Sequence, residues 1–271
     1  MGRALLLLVV SCSLFACETK LVVGQRNDAA GDDAGAAGAQ CTDSGSIPAE
    51  TDPIALPWST GFENGFCDYE ASGGFCIGGG TRKTVTSPTA QFGQFAAAFS
   101  VDSADTASNQ ARCVRQGVLP EEAYYGAWYY IPAPATLIDN SSLWNLWHFQ
   151  GGDASQKGLW DISLINGDSG ALELLVYDFL TPVVRKQTAM RAIPIPIGSW
   201  FHIEFFLKRR SDATGEIRLY QDGQKIIEAT DLITDDSSWG QWYVGNISKG
   251  LTPADSTLYV DDVTIDTKLL P

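Results

Sequence analysis

The sequence predicts an all-β sandwich preceded by a leader and a flexible linker. Three observations carry this. From Trp58 onward, short apolar or alternating runs are separated by Gly, Pro, Asn and Asp, and no stretch sustains helical periodicity. One segment, "EIRLYQDGQKIIEA", sets Asp222-Gly223 between two alternating runs, as a two-residue hairpin turn requires. The 271 residues are 45% hydrophobic and 18% charged, enough to bury one sizeable core with chain left over.

The left-over chain lies at the N-terminus. Arg3 leads into an apolar run from Ala4 to Val10, a charged n-region and short h-region that read as an export signal too short to span a membrane. Leu14-Phe15-Ala16-Cys17 resembles a bacterial lipobox, with Phe15 standing where a smaller residue is usual. The expected organisation is a lipoprotein signal peptide over 1–16, a lipidated Cys17 opening an acidic linker over 17–57, and a sandwich domain over 58–271. Acyl chains on Cys17 would tether the mature protein, each buried methylene contributing roughly 0.8 kcal/mol. The linker is rich in Ala, Gly, Asp and Ser with almost no large apolar side chains, so it cannot offset the entropy of ordering and is expected to be a disordered stalk.

The net charge of −14 makes nucleic acid an improbable partner, since a polyanion would meet long-range repulsion. Outside the leader and Cys17, four cysteines remain: Cys41, Cys67, Cys76 and Cys113. An even number in an exported chain implies disulfides, with three pairings open and structural roles expected for Cys67 and Cys76.

The expected strands follow in order: "ALPWSTGFE", "RKTVTS", "FAAAFSV", "ARCVRQG", "YYGAWYYIP", "LWNLWHFQ", "GLWDISLI", "ALELLVYDF", "WFHIEFFLKRR", the two arms of the Asp222-Gly223 hairpin, "WGQWYVGNI" and "STLYVDDVTI". Alternate residues share a face, so Trp144, Leu146, His148 and Gln150 are expected on one side of their strand and Leu143, Asn145, Trp147 and Phe149 on the other.

The landmarks "TGFENG", "YYGAWYYIP", "IGSWFHIEFFLKRRSDATGEIRLYQDGQKII" and "LYVDDVTI" together resemble concanavalin A-like jelly rolls, specifically the heparin-lyase-like and glucuronan-lyase-like polysaccharide lyases. The resemblance runs from about Trp58 to Leu270. It implies a concanavalin A-like jelly-roll β-sandwich and, in its enzymes, a Gln-x-His pair on a concave-face strand, with Gln neutralising a uronate carboxylate and His assisting proton removal. His148-Phe149-Gln150 carries that pair in reversed order.

β-Elimination needs a carboxylate neutraliser, a base and an acid. The candidates are Arg112 or Arg115 with Gln150 as neutralisers, and His148 or a tyrosine such as Tyr125 as base, with a further tyrosine as acid. Arg112 and Arg115 fall on opposite faces of a regular strand. His202 and Glu204 share a face with Trp200 and Lys208 and are expected on a solvated surface. A glucanase is disfavoured because no E-x-D-x-x-E strand is present.

Eight tryptophans and nine tyrosines suggest a sugar-binding face, with Trp128, Trp144, Trp239 and Trp242 as candidate platforms beside Arg115. Glu63 and Asp261 or Asp262 also resemble the positions at which jelly-roll carbohydrate modules hold a structural Ca²⁺, the one cofactor the resemblance suggests; the plainer reading is a turn cap at Glu63 and charged strand-edge positions at the aspartates. The leading expectation is therefore an exported, membrane-anchored envelope protein binding polysaccharide on its concave face. The alternative is a lyase acting on a uronate-containing glycan, and the third reading is a non-catalytic envelope or adhesion protein. Oligomeric state is not legible.

Overall fold

The computed structural model describes residues 53–86, 90–139, 141–151, 158–187, 192–235 and 237–269. The expected leader, Cys17, Cys41 and the linker up to residue 52 lie outside the described residues. Among the described residues the first strand begins at Trp58.

Two antiparallel sheets make a sandwich. One runs, in spatial order, β14 (Gln224–Leu232), β13 (Gly215–Gln221), β12 (Trp200–Lys208), β6 (Glu122–Tyr130), β17 (Asp255–Asp266), β4 (Phe95–Asp102) and β3 (Thr81–Thr86), with β1 (Trp58–Thr60) also paired to β17. The other runs β11 (Val183–Lys186), β10 (Leu172–Asp178), β9 (Gly158–Asn166), β8 (Leu143–Gly151), β15 (Trp239–Lys249), β5 (Gln110–Val118) and β2 (Phe75–Ile77). A short ladder pairs β7 (Thr136–Leu137) with β16 (Leu251–Thr252), and among the described residues a five-residue helix, α1, spans Cys67–Ala71. Neighbours in both sheets are often distant in sequence, so most pairing is non-local.

Alternation builds the core. Phe201, Ile203, Phe205 and Leu207 of β12 face Trp147, Phe149, Trp160 and Trp242 from the other sheet, all essentially inaccessible to water. Burying a side chain of this size stabilises the fold by roughly 1.5–3 kcal/mol. The expected hairpin forms between β13 and β14. Asp222 and Gly223 have φ of 49° and 73°, the left-handed pair that a two-residue turn needs and that glycine accepts without a Cβ clash.

Cys76 and Cys113 form a disulfide between directly paired positions of β2 and β5, with Cα atoms 4.0 Å apart. Cys67 is also disulfide-bonded. The Cys76–Cys113 bridge pins β5 one residue from Arg112.

The alternation expected for β8 is broken. Trp144 pairs with Leu164 of β9, Asn145 with Ser163, and Trp147 with Ile162, so Leu146 is an extra residue in a β-bulge. Asn145 fastens the bulge by donating from Nδ2 to the carbonyls of Trp147 at 3.0 Å and Ile162 at 3.4 Å. Trp144 and Trp147 consequently both enter the core, and Asn145 changes sides to join His148.

Candidate functional site

The outer face of the seven-stranded sheet carries a recessed polar floor. Register places Tyr243 of β15 directly beside His148 of β8, His148 beside Asp161 of β9, and Asp161 beside Tyr177 of β10. The adjacent row is Gln116 of β5, Gln241 of β15 and Gln150 of β8. The alternate positions Phe149 and Trp242 are core residues, which fixes these rows on the other side.

Hydrogen bonds orient the amides in a chain with a fixed anchor. Gln116 Nε2 donates to the Gly73 carbonyl at 3.0 Å, so its Oε1 is free to accept from Gln241 Nε2, also at 3.0 Å. Gln241 therefore presents Oε1 to the Tyr243 hydroxyl, whose single proton is shared between that oxygen, at 2.7 Å, and Gln150 Oε1. Because both acceptors are carbonyl oxygens, Tyr243 must hold its proton. Burial pushes the Tyr243 phenol up to about 12, with Arg112 pulling it down and Asp161 pushing it up. The Gln150 amide NH₂ is left as a donor toward a ligand.

His148 Nδ1 is hydrogen-bonded to Asp161 Oδ1. In the neutral ring that contact keeps the proton on Nδ1 and the lone pair on Nε2, the arrangement of a positioned base. The imidazole lies 4.8 Å from the Tyr243 ring, tilted by 33°. The Arg112 guanidinium sits 4.5 Å from the same phenol ring centroid, a cation–π contact. Among the described residues Arg112 forms no ion pair with an acid, so its charge is available to a carboxylate. The face thus assembles a cation, an amide donor, an imidazole lone pair and a phenol proton.

Tyr243 was not among the residues expected from sequence. Its signal was present, since alternation in "WGQWYVG" puts Trp239, Gln241 and Tyr243 on the face opposite Trp242. That β15 lies between β5 and β8 is a long-range pairing that no local pattern shows.

Other expected residues fall elsewhere. Tyr125 is fully buried between Phe149, Trp147 and Trp242, and burial drives its phenol far above the normal range, so it is a core residue out of a substrate's reach. Arg115 points inward, lying 5.5 Å from the Trp58 ring and donating to the Gln116 and Ser72 carbonyls. Burial lowers its guanidinium to about 10. Trp144 and Trp242 are core, the former because of the Leu146 bulge, with its Nε1 donating to Asn246 Oδ1 at 3.0 Å. Trp128 belongs to the other sheet, against His202 and Phe92. Trp239 alone of the expected platform lies on the Tyr243 face, half-buried at one end.

His202 and Glu204 are not solvated as expected. They are 6% and 1% exposed, with His202 Nε2 unpartnered and its ring lowered to about 4 by burial. The Trp128 ring lies 5.1 Å from that of His202, and Phe92 packs edge-on against Trp128.

Glu63, Asp261 and Asp262 do gather round Gly61. A Cβ at Gly61 would stand 3.7 Å from Asp262 Oδ1, 3.8 Å from Asp261 Oδ1 and 3.9 Å from Glu63 Cγ. A register shift between Asp261 and Thr264 in β17 lets adjacent aspartates approach one point. Glu63 Oε1 accepts the Gln94 and Phe95 amides, and Asp261 Oδ2 accepts those of Gln91 and Phe92. Burial raises both aspartates, Asp261 to about 6. No three acid or imidazole side chains converge as a ready-made ligand set among the described residues. A hard cation here would need backbone carbonyls and water to complete its shell, and it would offset the cost of partly burying adjacent carboxylates.

An all-β sandwich with this combination on one sheet face has the parts to hold an acidic sugar and move its protons. The chain belongs to the polysaccharide lyase family, whose model matches residues 69–264. Among solved structures it is similar to cellulose induced protein Cip1, at 13% identity and a TM-score of 0.55, covering 78% of this chain and 98% of that one. An endo-β-1,4-glucuronan lyase from the fungus Trichoderma reesei aligns at 15% identity and a TM-score of 0.53, covering 72% and 90%. The marine PL-14 alginate lyase from Aplysia kurodai aligns at 13% identity and a TM-score of 0.50, covering 73% and 90%. These similarities show the shared fold. No curated protein matches the chain.

Proposed function

We propose that the protein is a polysaccharide lyase that cleaves a uronate-containing glycan by β-elimination. The observation that carries this is the convergence of Arg112, His148, Gln150 and Tyr243 on one recessed face. Arg112 and the Gln150 amide bind the uronate carboxylate and stabilise the negative charge that develops as the α-proton leaves. His148 Nε2 takes that proton, with Asp161 holding the ring and stabilising the imidazolium. The electron pair forms the carbon–carbon double bond, the bond to the glycosidic oxygen breaks, and Tyr243 supplies that oxygen's proton. The proton on His148 then returns to the tyrosinate beside it.

Non-catalytic binding, the leading expectation from sequence, loses most of its platform. Trp144, Trp242 and Arg115 face the interior and Trp128 lies on the other sheet, which favours the enzyme reading. Incubating the purified domain with alginate, glucuronan and glycosaminoglycans, and following the ultraviolet absorbance of the unsaturated uronate, tests it. A signal from one glycan that disappears in His148→Ala supports the reading. A flat trace for the folded protein on all of them overturns it.

The proposal extends to location and to a cation. The leader pattern and Cys17 support an exported, lipid-anchored protein, and the Cys76–Cys113 disulfide suits an oxidising compartment. Radiolabelled palmitate should enter the wild type and not Cys17→Ser. A Ca²⁺ at Glu63, Asp261 and Asp262 would fasten the ends of the domain to the loop between β3 and β4.

A further inference from the structure

Beyond the reacting groups, the polar floor continues into an apolar one along the same line of register. Tyr177 is the β10 partner of Asp161, and Val184 of the edge strand β11 is the partner of Tyr177. Tyr177 therefore stands two strands from His148, about 10 Å across the sheet. Phe179 fills the interval. Its ring centroid lies 6.0 Å from His148 and 4.6 Å from Tyr177, edge-on to both, and neither aromatic is fully buried.

The turn that presents Phe179 is fixed. Asp178 accepts the Leu180 amide at 2.9 Å, the Thr181 amide at 3.1 Å and the Thr181 hydroxyl at 2.6 Å, and it pairs with Arg185 at 3.3 Å. The ion pair also spends the Asp178 charge, so it does not repel an acidic sugar. Lys186 follows Val184 on the same face of β11, is exposed, and forms no ion pair among the described residues. On its far side, away from Tyr177 and Phe179, it borders a cavity of about 480 Å³ that is also lined by Asn166, Asp168 and Glu173.

We propose that Tyr177, Phe179 and Lys186 form a distal uronate subsite, in which the pyranose ring packs on the aromatic pair and its carboxylate meets Lys186. It rests on the lyase reading for the direction of the chain, which runs across the strands from Arg112 toward β11. An aromatic face and an exposed cation without an ion pair suit an anionic sugar: the ring C–H groups contact the π face and the carboxylate takes the charge. Such a subsite is met only by substrates long enough to span it.

The test compares wild type, Tyr177→Ala and Lys186→Gln on uronate oligosaccharides of increasing length, together with calorimetric binding of the longest one to each protein. The ratio of kcat/KM on long over shortest cleavable substrate should fall about tenfold or more in each variant, with a matching loss of affinity. Lys186→Gln should also flatten the salt dependence of binding. Equal losses at all lengths, or wild-type affinity in both variants, would overturn the subsite. Wild type that binds the oligosaccharide without cleaving it would instead defeat the lyase reading, and the affinities alone would then decide the subsite. Lys186 is exposed, so Lys186→Gln keeps the test sound should Tyr177→Ala fail to fold.

Discussion

Tyr243→Phe removes one oxygen from the centre of the proposed mechanism and leaves the ring packed between Arg112 and His148. Two consequences can be separated. The chemical one is loss of the proton given to the leaving oxygen. A positioned general acid contributes about 10²–10⁴-fold, which at 1.36 kcal/mol per tenfold is about 3–5 kcal/mol of transition-state stabilisation. The structural one is that Gln150 Oε1 and Gln241 Oε1, in residues 8% and 5% exposed, lose their shared donor. A buried acceptor left unpaired costs about 1–3 kcal/mol, less where water can enter as it can on this face. Initial rates by ultraviolet absorbance should show kcat down at least 10²-fold with KM changed far less, and a thermal melt should show a modest fall. The wild-type pH profile adds an independent check. A phenol held protonated up to about 12 donates throughout the neutral and alkaline range, whereas a tyrosinate base would make activity climb steeply toward that value. A Tyr243→Phe kcat within threefold of wild type, or a rate that rises with pH up to about 12, would refute the assignment.

Three other outcomes follow from the same structure. Asp161→Asn unfixes the imidazole tautomer and should lower kcat about 10²-fold while the melting temperature moves little, a split visible in kinetics and calorimetry. His202, buried and lowered to about 4 from an ordinary 6.5, makes a contribution to stability that is present above the unfolded value and lost as pH falls from 6.5 through 4. That window is worth about 3 kcal/mol, and the difference between wild type and His202→Gln in urea unfolding should shrink by that order across it; the raised Asp261 acts in the opposite direction in both proteins and so cancels. Breaking the Cys76–Cys113 bridge by Cys76→Ser reopens a loop whose ends are 37 residues apart, at a cost of about 2–4 kcal/mol, read as a shifted urea midpoint.

How legible this was in the sequence depended on range. The Asp222-Gly223 hairpin and the opposite faces of Arg112 and Arg115 follow from local chemistry and strand period, and the structure has both. His148 and Gln150 share their face as alternation requires. Trp144 was misplaced because a single inserted residue, Leu146, reverses the parity of everything before it, and the cue for it is the buried Asn145 that clamps the bulge. Tyr243 could be assigned to a face but not to a partner, because the β5–β15–β8 order joins segments far apart in the chain. Tyr125 looked equivalent to Tyr243 by residue type. Only the packing of two sheets distinguishes a phenol in the core from one on the floor of a site.

The most direct test of the central claim is to cleave the preferred glycan in heavy-oxygen water and weigh the products. Elimination predicts an unsaturated uronate at the new non-reducing end and no solvent oxygen incorporated at the cleaved bond. Saturated non-reducing ends, with the heavy isotope on the new reducing end in products weighed before anomeric exchange, would show hydrolysis and contradict the account.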